Sequence, residues 1–197
     1  MSEEREEYFD DEDIQQVVHR YENMLRKKTQ YFFDVYEFED IVDHYIGIKK
    51  FNRALQVIDL ASNQHPYSTE LSIKKAQVLI NKNQPSEALN ILKNVEKFEA
   101  SNYDIFVLEG VVYNLLGNEK EAIRQFNKAL LLTNDYEYKD EIFYNVATSF
   151  KQSGNFEIAI KYLKQAYDLN KENYDVIFDL AYCYEETNNY EKSILFY

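Results

Sequence analysis

The sequence predicts an all-α fold: an α-α superhelix of antiparallel helix pairs behind an N-terminal capping helix. Three observations carry this. Only four Gly and two Pro occur in 197 residues. Folds rich in tight turns consume those residues, whereas long helices with short joints do not. The phrase LGNEKEAIRQFNKALLL (116–132) returns as SGNFEIAIKYLKQAYDL (153–169), and its first half again as TNNYEKSILFY (187–197). Within each phrase the apolar residues recur every three and four positions, the spacing of one helix face.

Taken in order, residues 11–29 read DEDIQQVVHRYENMLRKKT. Ile14, Val17, Val18, Tyr21 and Leu25 form an apolar stripe. Acids crowd the start, and Arg26, Lys27 and Lys28 the end, which complements the helix dipole. This segment is expected to cap the first repeat. From there a comb of small residues marks the chain: Ala54, Ala88, Ala122, Ala159 and Ser193. The steps are 34 residues, except for 37 between Ala122 and Ala159. Twelve places before each mark stand Val42, Ala76, Gly110, Ala147 and Ala181; nine before, Tyr45, Leu79, Tyr113, Phe150 and Tyr184. Four places after stand Ile58, Leu92, Phe126, Leu163 and Tyr197; seven after, Ala61, Val95, Ala129 and Ala166. Two helices approach to about 8–10 Å only where small side chains lie at their crossing, and large side chains one turn away fill the space beside it.

Each unit therefore reads as two helices broken by a turn. The turn is Gly117-Asn118, Gly154-Asn155 or Asn188-Asn189 in later units and Lys49-Lys50 or Asn83-Gln84 in earlier ones. Gly and Asn tolerate left-handed backbone, and Pro85 suits a first helical turn. The three extra residues, near Tyr136, are expected to lengthen the first helix of the fourth unit by about one turn.

A 34-residue helix–turn–helix with this comb, and with GNFEIAI as its clearest phrase, resembles the tetratricopeptide repeat. The resemblance covers residues 35–197, with units near 35–68, 69–102, 103–139, 140–173 and 174–197, the last cut short; residues 1–34 form the acidic N-terminus and cap. The family's Trp is replaced by Phe38, Ser72, Phe106, Phe143 and Ile177, and its Leu before the small residue by Lys75 and Glu109. Its joint proline is present only as Pro66. A related RNA-reading repeat of period near 35 fits neither the 34-residue step nor the acidity.

Composition excludes other classes. A net charge of −13 with no basic stripe opposes nucleic acid; MSEEREEYFDDED alone carries eight acids and one base. One Cys permits no internal disulfide or zinc quartet. The acidic N-terminus lacks an apolar segment, so no signal peptide is expected, and no apolar run nears the roughly 18 residues a membrane span needs. A cytoplasmic protein is expected, and its richness in Ile, Asn, Lys and Tyr points to an AT-rich, bacterial genome. DDED lacks a calcium loop's glycine and ligand spacing. No two His share a helix face as metal ligands would, and His19 and His65 fall on the cap and in a joint. Cys183 and His44 occupy equivalent, inward places and read as packing residues. No phosphate loop or nucleophile motif occurs, and paired catalytic carboxylates need a closed, partly dry pocket. No catalytic role, cofactor or metal is expected.

What the resemblance implies is a protein-interaction scaffold whose first helices line a concave groove. Its lining places carry Tyr36, Glu39, Asp40 and Asp43, then Ile73, Lys74 and Gln77. They continue with Val107, Leu108 and Val111, then Tyr144, Asn145 and Thr148, and end with Phe178, Asp179, Tyr182 and Glu185. A groove acidic at one end and apolar and aromatic through its middle suits a peptide or helix with apolar anchors and basic flanks. A chaperone-type C-terminal carboxylate would meet Glu39 and Asp43 as like charges. The alternative is a segment of a larger repeat array that self-associates. Ile194, Leu195, Phe196 and Tyr197 read as uncovered apolar surface, as if further repeats followed.

Overall fold

The computed structural model describes residues 11–133 and 136–196, the side chains of residues 11, 12, 136 and 137 excepted. The acidic run before residue 11, Asn134 and Asp135 of the insert, and Tyr197 lie outside the described residues. Among the described residues there are eleven α-helices and no strand. They are α1 (Asp11–Lys27), α2 (Val35–Gly47), α3 (Phe51–Gln64), α4 (Thr69–Asn81), α5 (Pro85–Val95) and α6 (Tyr103–Leu115). They continue as α7 (Glu119–Leu132), α8 (Tyr136–Gln152), α9 (Phe156–Leu169), α10 (Tyr174–Glu186) and α11 (Tyr190–Ile194). The chain divides into two compact units, up to Gln84 and from Pro85.

The same backbone motif follows all five first helices. Lys49, Asn83, Gly117, Gly154 and Asn188 have φ between 56° and 79°. Each left-handed residue donates its N–H to the carbonyl three back, and the next residue donates to the carbonyl five back, as in Gly117 to Asn114 (2.9 Å) and Asn118 to Tyr113 (2.8 Å). This Schellman closure satisfies carbonyls that a helix end leaves open. Lys49 occupies that left-handed place without glycine's freedom. Lys28 ends α1 the same way, at φ 53°.

In the first unit α1 packs on α2, and α2 on α3 and α4. The core gathers Val18, Tyr21 and Met24 of α1 with Phe38, Ile41, Val42 and Tyr45 of α2 and Ala54, Val57, Ile58 and Ala61 of α3. Met24, not Leu25, completes the buried stripe of the cap; Leu25 is 43% exposed. Periodicity allows either residue to follow Tyr21; Met24 is held inward where its Sδ accepts the Tyr31 N–H at 3.3 Å. Asp34 precedes α2 and donates its N–H to Glu37 Oε2 (2.9 Å), while Arg20 of the cap reaches the same oxygen at 2.8 Å. Phe33, fully buried, is fixed by its N–H to Gln64 Oε1 (3.0 Å) and its carbonyl to His65 Nε2 (2.7 Å).

The second unit is a run of helix pairs, α6 with α7, α8 with α9 and α10 with α11, with α5 against α6. Every described comb residue it contributes is buried save the half-buried Tyr113. The core is aromatic: Phe126 meets Phe150 edge-on with centroids 5.9 Å apart, and Phe150 stacks on Tyr162 at 6.2 Å. The insert is absorbed as expected. α8 has 17 residues where α2, α4, α6 and α10 have 13, because a turn of helix takes about 3.6 residues and keeps the following comb residues in phase.

Two expectations need correction. Phe196 is not bare: it stacks on Tyr184 (5.9 Å) and meets Tyr167 edge-on (5.5 Å). Its ring turns back onto α10 and α9, while Ile194 and Leu195 stay 73% and 79% exposed. His44 is half-buried, not inward like Cys183; its ring lies against Tyr45 at the edge of the core.

Gly110 sits in the middle of α6 with the ring of Phe126 from α7 directly over its Cα, where a Cβ would overlap three ring atoms. Gly→Ala inside an exposed helix stabilises by about 1 kcal/mol. Here the sign reverses: Gly110→Ala is expected to destabilise by about 1–3 kcal/mol through overpacking. Urea unfolding of the variant against the wild type checks this, and a gain in midpoint contradicts it.

Candidate functional site

A helix carries its exposed side chains in stripes spaced three and four apart, so the surface each unit offers is set by which stripe its first helices turn outward. In the second unit α10 presents Tyr174, Phe178 and Tyr182, four residues apart and 74%, 58% and 42% exposed. A step of four residues rises about 6 Å, so the three rings make a row along one side of the helix. Tyr182 leans edge-on against Phe156 of α9, centroids 6.0 Å apart. Tyr144 of α8 is half-buried. Its phenol is pushed above the usual range by burial first and then by Asp179 and Asp175. Tyr182 is raised as well, chiefly by the charge of Glu186. These hydroxyls stay protonated and can donate, while the rings supply apolar area.

The remaining lining residues divide. Asn145 and Glu185 are exposed; Leu108, Val111 and Thr148 are half-buried. Val107 is 8% exposed and belongs to the core packed by Phe106 and Val146, so it is no part of an open wall. Asp179 is withdrawn from the surface by an ion pair with Lys151 of α8. Tyr174, first of the aromatic row, falls outside the expected lining places. Its signal was in the sequence, as the i−4 neighbour of Phe178.

In the first unit Tyr36 is 51% exposed, Asp43 is exposed, and Glu39, Asp40, Ile73 and Gln77 are half-buried. Lys74 of α4 reaches Asp43 of α2 at 2.6 Å, so part of the expected acidic surface is neutralised internally. The Glu39 and Asp40 carboxyls are both held above the usual range. Burial is the larger cause in each. For Glu39 the pull of Lys74 comes next and is outweighed, and for Asp40 the charge of Asp43 adds to the rise. A cation brought to this face would be welcomed by both.

The largest feature that sequence reasoning missed is a charged network in the second unit. Glu109 of α6 is fully buried, with Oε2 at 2.7 Å from Lys93 Nζ of α5 and Oε1 without a hydrogen-bond partner. Lys93 also bonds Glu96 Oε2 (2.9 Å), and Lys128 of α7 bonds Glu96 Oε1 (2.9 Å) while lying 3.7 Å over the Phe106 ring. Burial pushes the Glu109 carboxyl up against the pull of Lys93. For Lys93 burial alone would lower the ammonium, but its bonds to Glu109 and Glu96 outweigh it. Nearby, Asn114 donates to the Ser149 carbonyl (2.8 Å) and Oγ (2.9 Å), joining α6 to α8. Cys183 is buried and its thiol is pushed up to about 11, first by burial and then by Asp179, so the reactive thiolate is suppressed. No group of three or more potential metal ligands occurs among the described residues. Among the described residues no helix is long and apolar enough to cross a membrane.

Glu109 gives a pH test. Its folded-state value exceeds the unfolded one, so its contribution is full below the ordinary glutamate range and is lost as pH rises through the raised value. Glu109→Leu removes that slope: from neutral pH down to about 4.5, wild type is expected to gain stability relative to the variant. At pH 7 the variant is expected to lose at most about 1 kcal/mol, whereas Lys93→Met, which strands the carboxylate, costs about 3 kcal/mol. Urea titrations across pH decide it; equal losses from both variants would contradict this.

Sequence models of the tetratricopeptide repeat match residues 103–136 and 151–196. Among solved structures the chain is similar to TTC0263, a thermophilic TPR protein of Thermus thermophilus. That likeness has a TM-score of 0.66 and 17% identity, covering 93% of this chain and 92% of that one. MamA 41-end from Desulfovibrio magneticus RS-1 follows with 0.56 and 13%, covering 81% and 88%. Another MamA structure gives 0.55 and 14%, covering 84% and 92%. The search of curated proteins found no match.

Proposed function

Because the chain is a helical repeat protein carrying tetratricopeptide repeats, we propose that it is a protein-interaction scaffold whose second unit takes a peptide or helix through apolar anchors on Tyr144, Phe178 and Tyr182. The observation that carries this reading is the row Tyr174, Phe178 and Tyr182, three exposed aromatic residues on one helix. Single exposed apolar residues need no explanation, but a contiguous row does. Rings with a polar tip suit an interface that is apolar when occupied and wet when not. Basic flanks on the ligand are met within the same unit by Asp175 and Glu186, exposed carboxylates on the helix that carries the row. Asn145 is exposed and can bond a ligand backbone, whereas the Thr148 hydroxyl is buried.

Selection of a displayed peptide library on the wild-type chain tests this. Enriched peptides are expected to carry an aromatic or aliphatic anchor near Lys or Arg. Tyr174→Ala/Phe178→Ala/Tyr182→Ala is expected to weaken them by at least about 2 kcal/mol, the scale of a buried aromatic hot spot. The variant retaining the same peptides at the same affinity would sink the proposal.

The second reading, self-association, has an observation of its own: Ile194 and Leu195 are the most exposed large apolar residues of α11 and the turn after it. On this reading sedimentation of the wild type is concentration-dependent, and Ile194→Glu/Leu195→Glu restores a monomer. A wild type monomeric at every concentration removes this reading.

A further inference from the structure

We propose that the first unit holds a second binding site: a basic cleft that receives a short acidic stretch of a partner polypeptide. The cleft, about 550 Å³, opens between the turn that joins α2 to α3 and the C-terminal end of α4. Lys49, Lys50, Arg53 and Lys82 line it. In a chain of net charge −13, four cations on one cleft form a local field of opposite sign. They are also available. Two other lysines of this unit pair with carboxylates, Lys74 with Asp43 and Lys75 with Asp59. These four form no ion pair with any described carboxylate. The backbone adds to the field. The first turn of α3 contains no acidic side chain, whereas α5, α7, α9 and α11 each carry a glutamate there. The positive end of the α3 dipole is thus left uncompensated beside Lys50 and Arg53.

The chemistry of the lining selects the ligand class. Carboxylates meet ammonium and guanidinium groups in charge-assisted hydrogen bonds. The amides of Asn52 and Asn81 also line the cleft, and an amide both donates and accepts. An extended peptide backbone presents both kinds of group, whereas a phosphate ester chain presents acceptors alone. Phe51 supplies apolar area for the methylenes of Glu side chains. A nucleic acid brings a charge about every 1.7 Å along a long axis, most of which would face an acidic protein. A short acidic stretch brings its few charges to the four cations only. This site is separate from the aromatic row: every lining residue lies in the first unit and none on α10.

The test is fluorescence anisotropy of a labelled hexaglutamate peptide with the full chain. Binding is expected at low salt and weakens as salt is raised, because the contacts are exposed charges. Lys50→Ala/Arg53→Ala/Lys82→Ala is expected to raise Kd at least tenfold while keeping the wild-type melting curve, since Lys50 and Arg53 are exposed and Lys82 is half-buried. Lys82→Glu alone is expected to weaken binding in the same direction. The Tyr174→Ala/Phe178→Ala/Tyr182→Ala variant is expected to bind hexaglutamate as the wild type does, so the two sites stand or fall separately. No binding by the wild type, or equal binding by the triple Lys/Arg variant, overturns the proposal. So does a twelve-residue oligothymidylate that binds as tightly as the peptide, because the cleft would then be reading phosphate.

Discussion

Two helices joined by a turn of three residues must lie side by side, and how closely they lie is decided at their crossing. Ala54, Ala122 and Ala159 hold that crossing with side chains small enough to be wholly buried. Where one helix offers even less, as at Gly110, its partner answers with a large ring, Phe126. The separation of about 8–10 Å that results fixes which stripe of each first helix is turned to the core and which to solvent. The rest of the surface follows from that choice. Once Leu180, Ala181 and Tyr184 face inward on α10, Tyr174, Phe178 and Tyr182 have to face out.

The joints show how much of the fold is backbone and how little depends on the residue. Lysine, asparagine and glycine close the same left-handed turn with the same two hydrogen bonds in five units. A non-glycine residue there bears steric cost, which the packing on either side outweighs. The insert near Tyr136 is accommodated with similar economy: an added turn of helix changes the length of α8 but not the side of it that meets α9.

Charges are handled in two ways, and the difference shapes what the molecule can bind. Some are consumed internally: Glu109 by Lys93, Asp179 by Lys151, Asp43 by Lys74. In the first of these the carboxylate is buried and the ammonium only in part, so desolvation of Glu109 offsets much of the attraction and the pair joins α5 to α6. Others are left exposed or half-buried, and they are segregated within the first unit. Glu39 and Asp40 lie on one helix, while Lys49, Lys50 and Arg53 gather at a turn with Lys82. An acidic total therefore conceals a basic cleft, because net charge is a sum and binding is local.

Much of this was legible in the sequence because repetition makes local signals coherent. The comb of small residues specified the period, the helix pairs and the buried face, since each helix obeys a 3.6-residue periodicity. The left-handed turns were marked by Gly and Asn, although Lys49 carries no such mark. Most of the residues expected to line a groove were placed on helices that the period itself defined. Tertiary structure alone decided the pairings across helices. Lys93 with Glu109, Lys151 with Asp179 and Asn114 with Ser149 join positions 16, 28 and 35 residues apart, and no local pattern ties such partners together. The same packing buried Val107, turned Phe196 back onto Tyr184 and brought Lys82 to the cleft of Lys49 and Arg53. Periodicity names the face of a helix, but only the neighbouring helix determines whether a residue on that face is covered, paired or left open to a ligand.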